Sequence, residues 1–258
     1  MSEFILFLIV GFLAQAVDGA LGMAYGVISA TVLLSFGVPP AQASASVHAA
    51  ELFTTAASGS AHLVHRNVDW QLFWRLAPAG IIGGCLGAYV LTSFEGNAVK
   101  PLVTIYLAVI GLYLVVRSFH KIPNKPVSAS VVAPLGAVGG FLDAAGGGGW
   151  GPIVTSGLLG AGAPPRYVIG TVNASEFLIT LSVSVTFLAS LMSGHWQAAG
   201  TLTEYGWSIG GLIAGGLLAA PMAGWMVKTV PEKALLRAVG ILIVCLSLYQ
   251  SAQLVALV

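Results

Sequence analysis

Of the 258 residues of this chain, 57% are hydrophobic and only 7% are charged, and the formal net charge is +1 at pH 7. A soluble domain carries roughly 25% charged residues, so this composition cannot supply the surface of a soluble globule. We therefore predict an all-α polytopic membrane protein without a separate soluble domain, and we expect the lipid bilayer and no nucleic acid among its partners.

The hydrophobic residues form about ten segments. In chain order they cover residues 4–17, 23–36, 42–63, 72–92, 100–118, 129–142, 150–160, 167–191, 200–226 and 232–256. In each set of five, the last three segments are long enough to cross a hydrocarbon core of ~30 Å, whereas the first two are short. We expect each short pair to form a helical hairpin or a broken helix surrounded by protein or by a wet cavity.

The chain contains an internal duplication with an offset of 125 residues. The sequence GFLAQAVDGALGMAYG aligns with GAVGGFLDAAGGGGWG, so that Asp18 matches Asp143 and Gly22 matches Gly147. The same register holds without a gap through some forty positions. Chance matching of hydrophobic residues would not produce this agreement, so we predict two related structural units.

The basic residues predict that the two units are inverted. If the linker at 121–128 is cytoplasmic, nine of the ten Lys and Arg residues face inward and only Lys100 faces outward. The N-terminal repeat (1–120) then begins outside and the C-terminal repeat (129–258) begins inside, which makes both termini periplasmic. Inverted repeats with short, glycine-interrupted segments at matching places are typical of secondary transporters with a binding site near the bilayer midplane.

Four acidic residues lie inside the predicted membrane segments. An ionised carboxylate at the bilayer centre costs about 2.5–3.5 kcal/mol, so each one needs a partner, a proton or water. Asp18 and Asp143 precede glycine-rich turns, where a carboxylate can also cap free amides. Glu51 and Glu176 lie in the middle of helices, where no amide is free. We predict that all four act in coupling or proton transfer.

The helix that contains Glu51 has a polar face. Spacings of 4, 3, 4, 3 and 4 place six residues on it: Ser44, His48, Glu51, Thr55, Ser58 and His62. Such a face must contact protein or water, either as a binding surface or as a hydrogen-bonded seam between helices. Asn173 takes the place of His48 in the second repeat, and without a second histidine we expect no metal site.

The glycine breaks are predicted to bind an anion. Glycines let the backbone turn its amides toward an anion, and half-helix N-termini add a fractional positive charge. The predicted substrate-binding residues are Gly22, Ser46, His48, Gly147, Gly148, Gly149, Trp150, Thr171 and Asn173. We expect Arg166 to attract an anion at the inner mouth or to serve as an interfacial anchor.

Two further sets of glycines predict close packing of helices instead of binding. They are Gly80, Gly83, Gly84 and Gly87 in the fourth segment and Gly210, Gly211, Gly215 and Gly216 in the ninth. Small residues at helical spacing allow two helix backbones to approach closely.

Several motifs resemble a known family. The sequences AQAVDGALGMAYG, SASVHAAELFTT, DAAGGGGWGP and PPRYVIGTVNASEF look like the TauE/SafE membrane permeases, over essentially the whole chain. The resemblance implies a bacterial inner-membrane protein with two inverted repeats. It also implies transport of small sulfur-containing anions, such as sulfite, sulfoacetate or organosulfonates, generally outward. Arg66 departs from the family, in which glycine is expected before the Asn-Val-Asp sequence.

Together these features predict a secondary transporter without a cofactor, and a homodimer is compatible with the sequence. Neither an H-E-x-x-H nor a G-x-S-x-G motif occurs, so we expect no enzymatic activity. Because several carboxylates repel an anion, proton coupling through Glu51 and Glu176 is the simplest expectation. The alternative is a proton- or cation-coupled transporter in which the intramembrane acids bind a cation directly.

Overall fold

The computed structural model describes residues 2–120, 128–196, 205–220 and 232–256. These ranges are almost entirely helical, and no strand occurs within them. The predicted all-α polytopic class is therefore confirmed. Most of the predicted linker at 121–128 and both ends of the predicted segment 200–226 lie outside the described residues.

The described helices follow the predicted order in both halves. The first half contains α1 (Ser2–Leu21), α2 (Tyr25–Ser35), α3 (Pro40–Val64), α4 (Trp70–Thr92) and α5 (Gly96–Arg117). The second half contains α6 (Ala129–Gly146), a π-helical segment (Trp150–Thr155) that continues into α7 (Ser156–Gly160), α8 (Pro165–Met192), α9 (Gly206–Ala219) and α10 (Glu232–Ala256). Each half thus begins with a helix that is interrupted at the predicted glycine break.

The first helix of each half is longer than predicted. Helix α1 has 20 residues and α6 has 18, and each continues four residues past the predicted ends at 17 and 142. The two aspartates of the breaks are therefore helical themselves, and the chain turns only after them. At ~1.5 Å per residue, α1 reaches about 30 Å, so this member of the pair is not short.

Four of the described helices are long and hydrophobic enough to cross a membrane. They cover Trp70–Thr92, Ala98–Arg117, Pro165–Met192 and Leu236–Val255. Helix α3 also has the length to cross, at 25 residues, and its polar face lowers its hydropathy. Large hydrophobic side chains on the outer faces of these helices, such as Leu102 and Leu188, are more than half exposed, as expected for contact with lipid.

The helices of the two halves interlock. Helix α4 packs along α6 and α9 packs along α1, while α3 packs on α8 and α5 packs on α10. In the duplicated register α1 to α5 correspond to α6 to α10. Exchanging the halves therefore converts the α4–α6 pair into the α9–α1 pair, and it leaves the α3–α8 and α5–α10 pairs unchanged. The pairing therefore has the pattern expected of two related units.

The matching helices α3 and α8 run antiparallel. Ser58, near the end of α3, donates a hydrogen bond to Asn173 near the start of α8. His48, near the start of α3, packs its ring on Phe187 near the end of α8. Antiparallel packing of matching helices is what an inverted pair of repeats requires, and the orientation of the two halves in the membrane stays a prediction.

Glycines allow the closest helix contacts. A Cβ atom on Gly83 would overlap the carbonyl of Ala137 in α6, and one on Gly215 would overlap the carbonyl of Leu8 in α1. These contacts confirm the predicted packing role at both positions. Gly210 differs, because a Cβ atom there would meet only the ring edge of Phe4, at 3.7 Å.

Candidate functional site

Each half contains the same helix break, in which an aspartate binds two backbone amides. Asp18 Oδ1 accepts hydrogen bonds from the amides of Ala24, at 2.7 Å, and Tyr25, at 3.2 Å. Asp143 Oδ1 accepts hydrogen bonds from the two residues at the matching positions, at 2.7 and 2.9 Å. These amides begin a new helical segment and have no intrahelical partner, so the carboxylates cap them.

The turn in each break depends on glycine. Gly22 (φ +65°) and Gly147 (φ +72°) have left-handed backbone conformations, which residues with a Cβ atom rarely adopt. The amide of Gly147 donates to the carbonyl of Asp143 at 2.7 Å, and Gly22 makes the matching bond to Asp18. Each aspartate thus ends the preceding helix through its carbonyl and begins the next one through its carboxylate.

The two breaks lie directly against each other. A Cβ atom on Gly148 would overlap the backbone of Gly26, and one on Gly151 would overlap the backbone of Met23. Because the glycines carry only hydrogen, the two backbones can approach this closely. The contact brings the buried aspartates of both halves to one cavity.

A small cavity between the breaks is lined by all four predicted acids. Its volume is about 10 Å³, roughly the room needed by one water molecule. The carboxyl groups that line it are Asp18, Glu51, Asp143 and Glu176, together with backbone from both breaks. All four side chains are buried, with 7% exposure or less. Because so small a cavity holds too little water to screen charge, four ionised carboxylates would repel one another unless protons or cations compensate their charge.

Glu51 and His48 approach Asp143 from α3. Glu51 Oε2 is buried and has no hydrogen-bond partner among the described residues. His48 Nε2 lies 3.2 Å from Asp143 Oδ2, and its Nδ1 lies 2.8 Å from the carbonyl of Ser44. One ring nitrogen of His48 and one carboxylate oxygen each of Glu51 and Asp143 lie within 4.8 Å of one another, close enough for one small cation to contact all three.

Asn173, which matches His48, makes different contacts. Its Nδ2 donates to the carbonyl of Ile169 at 3.0 Å, and its Oδ1 accepts from the hydroxyl of Ser58 at 3.0 Å. Gly22 lies beside it, because a Cβ atom there would be 3.3 Å from Nδ2. Asn173 therefore lies at the first break and also belongs to a hydrogen-bonded seam between α3 and α8.

Two of the nine predicted substrate-binding residues, Gly148 and Gly149, line the cavity, and the other seven are not among the described residues that line it. Thr171 Oγ1 accepts a hydrogen bond from the amide of Asp69 at 2.8 Å. The indole of Trp150 is buried and donates to the carbonyl of Val172 at 3.3 Å. Ser46 is buried, and its hydroxyl has no partner within the described ranges. In this conformation the side chains of Thr171 and Trp150 bind backbone groups of neighbouring segments and not the cavity.

Arg166, at the exposed start of α8, binds the loop that follows α3. Its Nε donates to Asn67 Oδ1 at 2.6 Å, and its Nη2 donates to the carbonyl of His65 at 3.1 Å. One turn further along α8, Gly170 packs on the backbone of Asn67. The predicted inner-mouth residue thus ties the start of α8 to the loop after α3.

Two tyrosines that the sequence pattern did not indicate contact the site. Tyr106 donates from its hydroxyl to the carbonyl of Gly148 at 3.1 Å, and Tyr25 donates to the carbonyl of Leu212 at 3.0 Å. Tyr25 also lines the cavity. In the sequence both tyrosines resemble ordinary aromatic residues of membrane helices, so only their position beside the breaks distinguishes them.

The fold and the site define an all-helical, multi-pass membrane protein in which the two halves of the chain enclose a buried acidic pocket. The family described as sulfite exporter TauE/SafE matches residues 7–250. The chain therefore belongs to the TauE/SafE family and is a membrane transporter, which confirms the resemblance seen in the sequence.

Two relatives from Bacillus subtilis (strain 168) are similar to the chain. It is 43% identical to the probable membrane transporter protein YtnM, with 88% of this chain and 76% of YtnM covered. It is 26% identical to the probable membrane transporter protein YunE, with 96% of this chain and 98% of YunE covered. No solved structure matches the chain significantly.

Proposed function

We propose that this transporter moves a small sulfur-containing oxyanion, such as sulfite, sulfoacetate or another organosulfonate, across the bacterial inner membrane. The observation that carries the proposal is the meeting of two helix starts in one buried pocket. Helix α2 and the helical segment 150–160 both begin there, with amides directed at an acidic oxygen. Helix starts of this kind favour anions. The description of the family as a sulfite exporter supports the substrate class and outward movement.

The hydrogen bonds of the aspartates support binding of an oxyanion at the two breaks. In each break one carboxylate oxygen accepts two amide hydrogen bonds, and an oxygen of a sulfite or sulfonate group can accept the same bonds once the carboxylate has moved away from the amides. The cavity has room for roughly one water molecule, so it has to widen before the anion enters. In alternating access, separation of the two breaks on one side at a time supplies this change.

Proton coupling removes the conflict between an anion and four carboxyl groups. When Glu51 and Glu176 are protonated, their hydroxyl groups donate hydrogen bonds to the anion instead of repelling it. We propose that these two glutamates bind and release protons during transport. The net direction then follows from the anion gradient and the proton gradient together.

A thermal-shift screen of the purified protein tests the substrate class. Sulfite, sulfoacetate and methanesulfonate should raise the melting temperature, because an anion at 100 times its Kd stabilises the native state by about 2.7 kcal/mol. Gly26→Ala, which would place a methyl group 2.8 Å from Glu51, should abolish the shift. Gly210→Ala, at an open position, should keep it. Stabilisation by divalent cations and by no sulfur anion would contradict the proposal and favour the cation-binding alternative.

A further inference from the structure

The hydrogen bonds of His48 fix which of its ring nitrogens carries a hydrogen. Nδ1 lies 2.8 Å from the carbonyl of Ser44, and a carbonyl can only accept. The hydroxyl of Ser44 lies 3.3 Å from Nδ1, but it donates its own hydrogen to the carbonyl of Ala144 at 2.6 Å. Both neighbours of Nδ1 are therefore acceptors, and Nδ1 is the donor.

The other ring nitrogen faces a carboxylate. If His48 is neutral with its hydrogen on Nδ1, then Nε2 is an acceptor, and it lies 3.2 Å from Asp143 Oδ2. Oδ1 of the same carboxylate accepts two amide hydrogen bonds, which favours its ionised form. Two acceptors at this distance repel each other, so the contact needs a proton between them, and the amides of the break place that proton on the histidine.

We propose that His48 is a protonated imidazolium paired with Asp143 in this closed conformation, and that anion binding in the pocket is linked to this proton. The inference rests on the proposed function and deepens it, because it assigns the positive charge that an anion needs beside four carboxyl groups. Loss of the proton leaves Asp143 uncompensated and repels the anion. This proton site belongs to the first half only, since the side chain of Asn173 at the matching position does not ionise.

The other ionisable groups around this pair come from several helices. They are Asp18 on α1, Tyr25 on α2, Glu51 on α3, Tyr106 on α5 and Glu176 on α8. The hydroxyl groups of both tyrosines are bound to carbonyls, and Asp18 is bound to two amides. Glu51 Oε2 has no partner in the described part of the chain and Glu51 lies within 4.8 Å of both His48 and Asp143, so Glu51 is the nearest competitor for the proton. A decisive test has to separate His48 from Glu51.

Nitrogen NMR of the histidine rings tests the proton directly and needs no substrate. In protein labelled with ¹⁵N-histidine and reconstituted in lipid, both ring nitrogens of His48 should be protonated near neutral pH. The signal is assigned by its loss in His48→Asn, which copies the residue of the second half. In Asp143→Asn the ring should become neutral with hydrogen on Nδ1, whereas in Glu51→Gln it should stay protonated. A neutral ring in the wild type, or a signal that changes on chelation of metals, overturns the inference.

Binding of methanesulfonate, which does not titrate near neutral pH, tests the linkage. Wild-type affinity should fall about tenfold for each pH unit above the point at which NMR shows His48 losing its proton. His48→Asn should bind more weakly and without this dependence, while His62→Asn, a matched control on the same helix, should keep it. A His48→Asn variant with an unchanged pH profile overturns the linkage. If the wild type binds no sulfur anion, the proposed substrate is wrong, and the NMR result still decides the state of His48.

Discussion

At the scale of single residues, the backbone conformation of Arg66 explains why glycine is expected at this position. It is the one residue other than glycine with a positive φ in the described ranges, at +53°. The amides of Arg66 and Asn67 donate to the carbonyls of Leu63 and His62, which is the Schellman motif at the end of α3. Glycine, which the resemblance leads us to expect here, adopts this conformation without a steric cost.

Replacing Arg66 with glycine should stabilise the protein. A left-handed conformation costs a residue with a Cβ atom about 1–2 kcal/mol, and the greater freedom of glycine in the unfolded chain offsets part of the gain. We therefore expect Arg66→Gly to raise the free energy of unfolding by about 0.5–1 kcal/mol, measured by thermal or denaturant unfolding in detergent. Arg66→Ala, which removes the charge and keeps the strain, is the control. Equal stabilisation by both variants would assign the effect to charge instead.

Other properties of single residues were beyond the sequence. The duplication located Asp18, Glu51, Asp143 and Glu176, because an acid in a hydrophobic segment stands out against its surroundings. The orientation of the Trp150 side chain could not be predicted from the sequence, since it depends on a π-helical turn and on a hydrogen bond to α8. Contacts between a side chain and a distant backbone group depend on tertiary packing, which the spacing of residues within one segment does not reveal.

At the scale of elements, hydrophobicity and repeated glycines predicted most of the helix order. The ends of α1 and α6 were misplaced because an aspartate in a hydrophobic run suggests a break, whereas here it is the last turn of a helix. The glycine sets predicted close helix contacts correctly at Gly83 and Gly215. Spacing alone did not separate Gly215 from Gly210, since it does not show which glycine faces the partner backbone.

Alanine at these two glycines of α9 should have different effects on stability. At Gly215 the added methyl group would overlap Leu8 in α1, so we expect Gly215→Ala to destabilise the protein by about 1–3 kcal/mol. At Gly210 the space is open, so alanine should be neutral or stabilise by about 0.5 kcal/mol through its better helix propensity. The melting temperatures of both variants measure the difference. Similar values for the two would contradict the described contact between α1 and α9.

At the scale of the whole molecule, interlocked halves explain how one pocket is built from two breaks. Helices α4 and α9 each pack on the first helix of the other half, so each break is held by both units. We propose that the halves are inverted, with a cytoplasmic linker and periplasmic termini. The antiparallel packing of α3 on α8 supports this arrangement.

Labelling of single cysteines tests the inversion. The ends of α3 and α8, at the exposed Arg66 and Ser193, should lie on opposite sides of the membrane. In a variant without Cys85 and Cys245, a maleimide that cannot cross the membrane should label Ser193→Cys from outside in intact cells. It should label Arg66→Cys only after the membrane is opened. Equal labelling of both from outside would contradict the inversion and the antiparallel packing of α3 on α8.

Proton coupling through Glu51 and Glu176 is tested most directly by measuring transport itself. In proteoliposomes with an imposed pH gradient, the wild type should drive uptake of labelled sulfite above its equilibrium level. The double variant Glu51→Gln and Glu176→Gln should lose this proton-driven accumulation, while Glu95→Gln, an exposed acid between α4 and α5, should retain it. Undiminished accumulation in the double variant would contradict the proposed coupling through the pocket between the two breaks.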